Sequence, residues 1–97
     1  MAEIFLQIEA EQEYEAAVGW YFERSQQAAT KFEIAFEYAL ASIKANPDLY
    51  PKCDEHHRFC RLRRYPYSVI YRVDSDQIRV IAVAHSSRMP GYWSGRK

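Results

Sequence analysis

The apolar residues of this chain change their period once, and that change limits the fold more than any other feature. In the first half they recur at helical spacing: Tyr14, Ala17, Val18, Tyr21 and Phe22 fall at i, i+3, i+4, i+7 and i+8. In a second run Phe32, Phe36, Leu40 and Ile43 make one stripe, widened by Ala28, Ala35 and Ala39. Ser25 is suited to cap the start of that run. Asn46-Pro47 is suited to end it, because the residue before a proline is pushed out of helical geometry. Helices joined so tightly predict an antiparallel hairpin. After residues 47–57, a loop with two prolines, the period becomes two.

Arg58–Arg64, Tyr67–Val73 and Gln77–His85 are rich in β-branched and aromatic residues and predict three strands, with turns at Tyr65-Pro66 and Asp74-Ser75-Asp76. Tyr67, Val69, Tyr71 and Val73 share one phase, and Ile81 shares a phase with Val83, so much of the sheet is expected to be covered on both faces. A short strand at residues 3–8 precedes the helices. The expected fold is α+β: an N-terminal strand, a helical hairpin and a three-stranded antiparallel meander, forming one mostly antiparallel sheet. At 97 residues the chain is read as a single domain, 1–97.

Charge follows the same division. Residues 1–50 carry nine acidic and three basic side chains, and residues 51–97 carry ten basic and four acidic, although the formal net charge is 0. Arg58, Arg61, Arg63, Arg64, Arg72, Arg79, Arg88 and Arg96 are expected to gather into a continuous cationic patch that invites a polyanion or an acidic protein. The competing reading pairs the two halves with each other, since surface ion pairs are common and individually weak. Glu9, Glu11, Glu13 and Glu15 read as a solvated helix face. No apolar run is long enough to cross a bilayer, and the first residues lack the basic and greasy regions of a leader, so a cytoplasmic protein is expected. Two cysteines make no disulfide framework.

Three constellations are candidates for chemistry. Alternation through Phe59-Cys60-Arg61-Leu62-Arg63-Arg64 puts Arg61 and Arg63 on one face with Phe59, and Cys60, Leu62 and Arg64 on the other. Guanidinium forks suit phosphate or carboxylate, and Tyr67, Tyr71, Tyr92 and Trp93 nearby could stack on bases; the alternative is that the row only solvates an edge strand. His85-Ser86-Ser87-Arg88-Met89-Pro90-Gly91-Tyr92-Trp93 holds a proton carrier, a charge stabiliser and a phenol, which are parts for metal-free phosphodiester transfer. Its alternative is a strand cap followed by an aromatic anchor. Cys53, His56, His57 and Cys60 are ligand types for zinc, but all four fall within one eight-residue segment, whereas structural zinc sites join separated arms. A polar loop is the stronger reading. No glycine-rich phosphate loop or nucleophile elbow is present, and neither a cofactor nor a metal is expected.

The ordered set Ala17-x-x-Trp20-Tyr21, Phe32-x-x-Ala35-Phe36, Arg63-Arg64-Tyr65-Pro66-Tyr67-Ser68-Val69-Ile70-Tyr71-Arg72-Val73 and Val80-Ile81-Ala82-Val83-Ala84-His85-x-x-Arg88-x-Pro90-Gly91-Tyr92-Trp93 resembles the RelE/ParE toxin superfamily over essentially the whole chain. The resemblance implies the toxin of a type II toxin–antitoxin module, of the kind associated with plasmid stabilisation, wrapped by a small antitoxin protein in a prokaryotic cytoplasm. RelE-like members are metal-independent endoribonucleases that cut messenger RNA on the ribosome; ParE-like members poison DNA gyrase. Under the ribonuclease reading Arg61, His85, Arg88 and Tyr92 would be catalytic. Arg63, Arg64, Arg72, Arg79, Trp93 and Arg96 would contact target or antitoxin. Ser68 stands where the RelE-like pattern often carries arginine, and the lysines of the first meander strand are missing, so the resemblance leans to the ParE side. The alternatives are the ribonuclease and a non-toxic binding module of the same fold.

Overall fold

The chain turns into a helix at Ile8, and that early turn shapes one side of the sheet. A computed structural model describes residues 2–96; Met1 and Lys97, the two ends of the expected domain, lie outside the described residues. Strand β1 (Glu3–Leu6) leads into helices α1 (Ile8–Phe22) and α2 (Gln26–Ala45), then strands β2 (Arg58–Arg61), β3 (Tyr67–Asp74) and β4 (Gln77–His85). The strand order is β1-β4-β3-β2. The meander is antiparallel as expected, and β1 joins it parallel to β4, with Glu3 opposite Gln77 and Leu6 opposite Val80.

The expected first strand ran to residue 8. It stops at Leu6 because the Gln7 amide makes the final rung to Val80 C=O while Gln7 C=O already accepts from the Glu11 amide, the first helical bond. The hairpin forms as predicted: Ser25 Oγ accepts from the Ala28 amide at 2.9 Å, and Asn46 before Pro47 closes α2. Strand β2 is shorter than the expected 58–64. The Leu62 amide donates to Tyr67 C=O, and Arg64 adopts φ 69°, a left-handed conformation that a strand does not accommodate.

Both helices cover one face of the sheet. Phe32, Phe36, Ala39 and Ile43 of α2 and Ala10 and Ala17 of α1 pack against Cys60, Leu62, Val69, Tyr71, Ile78, Val80 and Val83. A smaller cluster on the other face joins Ile70, Ile81, Ala82 and Trp93, flanked by Phe59, Ala84 and Tyr92. Strict alternation keeps Ile81 with Val83. A register shift beside Ile70 and Tyr71 instead pairs them with Ala82 and Val80, leaving Ile81 as the extra residue. Ile81 therefore turns to the second face with Ala82, while Val83 rejoins the helix side. The turn residues 86–96 lie over this second face.

Phe32 is the centre of the larger core. Its ring is fully buried, with Tyr21, Tyr65 and Tyr67 centroids 4.9, 5.3 and 5.4 Å away and Tyr14 at 6.1 Å. Phe32→Ala is expected to cost about 3–5 kcal/mol through lost burial and an unfilled cavity, read as a lower denaturant midpoint, whereas Phe32→Leu should recover most of it.

Candidate functional site

On α1 the stripe that faces the sheet reads Ala10, Glu13, Tyr14, Ala17, Tyr21, so a carboxylate is carried inward with the apolar residues. Glu13 is the acceptor for Tyr92 and Arg96 of the C-terminal segment. Its side chain is 17% exposed. Oε1 accepts from the Val83 amide at 3.0 Å and from Arg96 Nη1 at 2.9 Å; Oε2 accepts from Tyr92 Oη at 2.7 Å and Arg96 Nη2 at 3.1 Å. Arg88 Nη1 stands at 4.0 Å, the outer limit of an ion pair, with its guanidinium over the Tyr92 ring at 3.8 Å. Arg96 also donates to Ile81 C=O at 3.1 Å. Since β1 ends opposite Val80, these two side chains satisfy groups on β4 that a longer β1 would have paired.

Burial by itself would raise the Glu13 carboxyl, but hydrogen bonds from Arg96, Tyr92 and the Val83 amide outweigh it and hold the group below its ordinary 4.5. The same cluster pushes the Tyr92 phenol up to about 12, through burial first and the bond to Glu13 second. Tyr92 thus keeps its proton at neutral pH.

The eight arginines do not form one continuous patch. Arg72 Nε bonds Asp74 at 3.0 Å; Arg79 Nε lies 3.2 Å from the same oxygen, an ion contact without hydrogen-bond alignment. Arg58 donates to the Asp48 and Tyr50 carbonyls. Arg88 and Arg96 turn to Glu13. Arg61, Arg63 and Arg64 remain exposed, and their guanidinium groups have no hydrogen bond or ion pair among the described residues. They rim a groove of about 540 Å³ between α2 and β2, together with Lys31; Ile34, Ala35, Tyr38, Tyr50 and Leu62 make its apolar lining. Ile34 and Tyr38 are 64% and 62% exposed there. The expectation of unquenched guanidinium groups therefore narrows to this groove, because Asp74, two backbone carbonyls and Glu13 hold the others.

The remaining predicted residues divide: His85, Arg88, Tyr92 and Trp93 line one cavity of about 220 Å³ over the second face, while Arg61 stands apart at the groove. His85 stands edge-on to Tyr67, centroids 5.0 Å apart, and lines a cup with Trp20, Tyr21 and Pro66. Trp93 is 6% exposed and packs in the second cluster, its ring 4.9 Å from His57. His57 Nδ1 is held by Asp54 at 2.9 Å. Cys60 belongs to the helix-side core, while Cys53 lines a cavity over the opposite face with Phe59 and Ile70. Burial raises both thiols. Among the described residues no group of three His, Cys, Asp or Glu side chains is placed to hold a metal ion, and no helix is long and apolar enough to cross a membrane.

The model of one protein family, described as the ParE toxin of the type II toxin–antitoxin system parDE, matches residues 4–90. The chain belongs to the ParE toxin family. As in other proteins placed there, an antitoxin partner is implied by the family itself. A solved chain described as the chromosomal ParDE TA system from P. aeruginosa superposes with a TM-score of 0.68 at 17% identity, covering 88% of this chain and 95% of that one. That likeness speaks for the ParE fold. No curated protein matches the chain.

Glu13 was not legible as a site residue when its cluster was read as one solvated face. The signal was present in the spacing: residues two apart lie on different sides of a helix, so Glu9, Glu11, Glu13 and Glu15 cannot share one. Glu13→Ala is expected to cost about 2–4 kcal/mol, since it strands Arg96 and the Val83 amide away from water. The pH dependence follows from the depressed carboxyl. Its contribution is complete above the unfolded value near 4.5 and is lost as pH falls through the lower folded value. Thermal melts should show this acid limb in the wild type and a flatter one in Glu13→Gln.

Proposed function

We propose that this chain is a cytoplasmic toxin that inhibits DNA gyrase by protein contact and is neutralised by a cognate antitoxin. The observation that carries the choice is how the groups an RNA-cleaving site would need are already engaged: His85, Arg88 and Tyr92 line one cavity of about 220 Å³, but Arg61 stands apart from it. Tyr92 and Arg96 are committed to Glu13, and Arg88 stacks on Tyr92. His85 packs with Tyr67, and Arg61 rims the α2–β2 groove. A phenol pushed up to about 12, by burial first and by the Glu13 carboxylate second, is a poor proton donor. Such a molecule has surfaces to offer a protein more than it has an assembled catalytic centre.

Membership of the ParE family supports the same reading. The α2–β2 groove supplies the antitoxin surface: an apolar floor exposes Ile34 and Tyr38, and the rim presents Lys31, Arg61, Arg63 and Arg64. An amphipathic antitoxin segment with acidic flanks would complement both. Strand β2 is also the sheet edge there; the Phe59 amide already donates to Pro51 C=O, so it is the Arg61 end of the strand that would face the partner.

Two measurements test these proposals. Controlled induction should slow supercoiling and raise a DNA-damage response while bulk translation persists at first, and His85→Ala should leave toxicity intact. Cleaved transcripts within translated codons, abolished by that substitution, would reverse the assignment to ribonuclease. Tyr38→Asp should weaken binding of the antitoxin encoded alongside by at least about tenfold, as expected for a buried aromatic contact, while Arg61→Ala with Arg63→Ala should mainly slow association and reduce its salt dependence.

A further inference from the structure

A second surface, whose lining shares no residue with the α2–β2 groove, lies where the end of α1, the turn between β2 and β3, and the end of β4 meet. Trp20, Tyr21, Pro66, Tyr67 and His85 line a cup of about 260 Å³ there. Four aromatic rings and a proline around one small cavity make a dense wall for a chain of this size. Trp20 is 49% exposed, yet it is not loose: the Arg24 guanidinium lies 3.4 Å from its ring centroid, and Arg24 Nη1 donates to Trp20 C=O at 2.8 Å. Tyr21 stands edge-on to the indole at 4.8 Å. A large apolar ring is therefore held half in water by its neighbours, before any ligand arrives.

The polar groups of the cup narrow the chemistry. His85 Nδ1 accepts from the Ser87 amide at 2.9 Å, so the neutral ring carries its hydrogen on Nε2. That nitrogen and Tyr67 Oη have no hydrogen-bond partner among the described residues. A ligand for this cup should be flat, to lie against π-faces, and should carry hydrogen-bonding atoms on its edge. A cationic ligand is disfavoured, because a guanidinium already sits on Trp20. An anionic attachment is favoured: Arg63 and Arg64, both unpaired, precede Pro66 by three and two residues, so the Arg64 and Pro66 Cα atoms are within roughly 7 Å.

We propose that this cup receives one nucleobase, stacked among Trp20, Tyr21 and Tyr67 with its edge on His85, while Arg63 and Arg64 hold an adjoining phosphate. Two sources share that chemistry, a free nucleotide and an unstacked base in a single strand. The proposal concerns binding alone and does not depend on gyrase being the target.

The test uses the purified full chain, a labelled single-stranded oligonucleotide of about ten nucleotides, an abasic strand of equal length, and AMP. Base-dependent binding by either the oligonucleotide or AMP supports the cup, provided Trp20→Ala weakens it roughly 5- to 150-fold and Trp20→Phe restores most of the loss. Binding of AMP assigns a free nucleotide; binding of the strand alone assigns single-stranded nucleic acid. Arg64→Ala should then lower affinity and flatten the salt dependence. Equal binding of the abasic strand, indifference to Trp20→Ala in a variant with a wild-type circular dichroism spectrum, or no binding of either probe would overturn the proposal. Toxicity is scored separately, so failure here leaves the gyrase reading standing.

Discussion

The contact between Glu13 and the C-terminal segment holds together parts of the fold that hydrophobic packing alone would leave separate. β1 is only four residues long, so β4 continues past its partner and presents unpaired backbone groups on that side. A carboxylate from α1 and a guanidinium from residue 96 occupy Val83 N–H and Ile81 C=O in place of strand. Both Glu13 oxygens are used twice, and the Arg96 fork meets them at 2.9 and 3.1 Å. Charge-assisted bonds of this kind exceed neutral ones, but only while each desolvated partner keeps the other. The pair thus makes the final turn of the chain conditional on the first helix.

That dependence explains how a sheet with helices on one side only can bury apolar residues on both. The bulge at Ile81 sends an extra isoleucine to the face without helices, where Ile70 and Ala82 already lie. Residues 86–96 contain neither strand nor helix, so they cannot hold themselves in place by a backbone ladder. Trp93 supplies the burial and Glu13 the tether. His57, fixed by Asp54, presents its ring to Trp93 from the loop before β2. The segment is best understood as a strap that closes the second core, with polar ends and an aromatic middle.

The architecture was readable because it rests on periodicity. Alternation at two and recurrence at 3.6 decided strand and helix nearly to the residue in β4 and α2, and Ser25 and Asn46-Pro47 marked their helix ends through local backbone chemistry. The errors arise where one residue answers to a distant partner. Ile81 left its phase because of a bulge, which alternation cannot announce. Arg64 took a left-handed turn conformation that a sequence of basic residues does not advertise. The charge division was plain in the sequence, but pairing across it was not: Asp74 holds Arg72 and Arg79 locally, whereas Glu13 reaches Tyr92 and Arg96 from some eighty positions away.

What the pairings leave over decides where the molecule can act. Quenching most arginines removes the broad positive field that would draw any polyanion to the sheet, and it concentrates free charge at the turn after β2. Arg63 and Arg64 there stand between two different surfaces, the apolar groove on α2 and the aromatic cup at the end of α1. A partner seated in the groove would use the same guanidinium groups that a phosphate beside the cup requires. Occupation of one surface should therefore weaken the other by competition for charge, without any movement of the backbone.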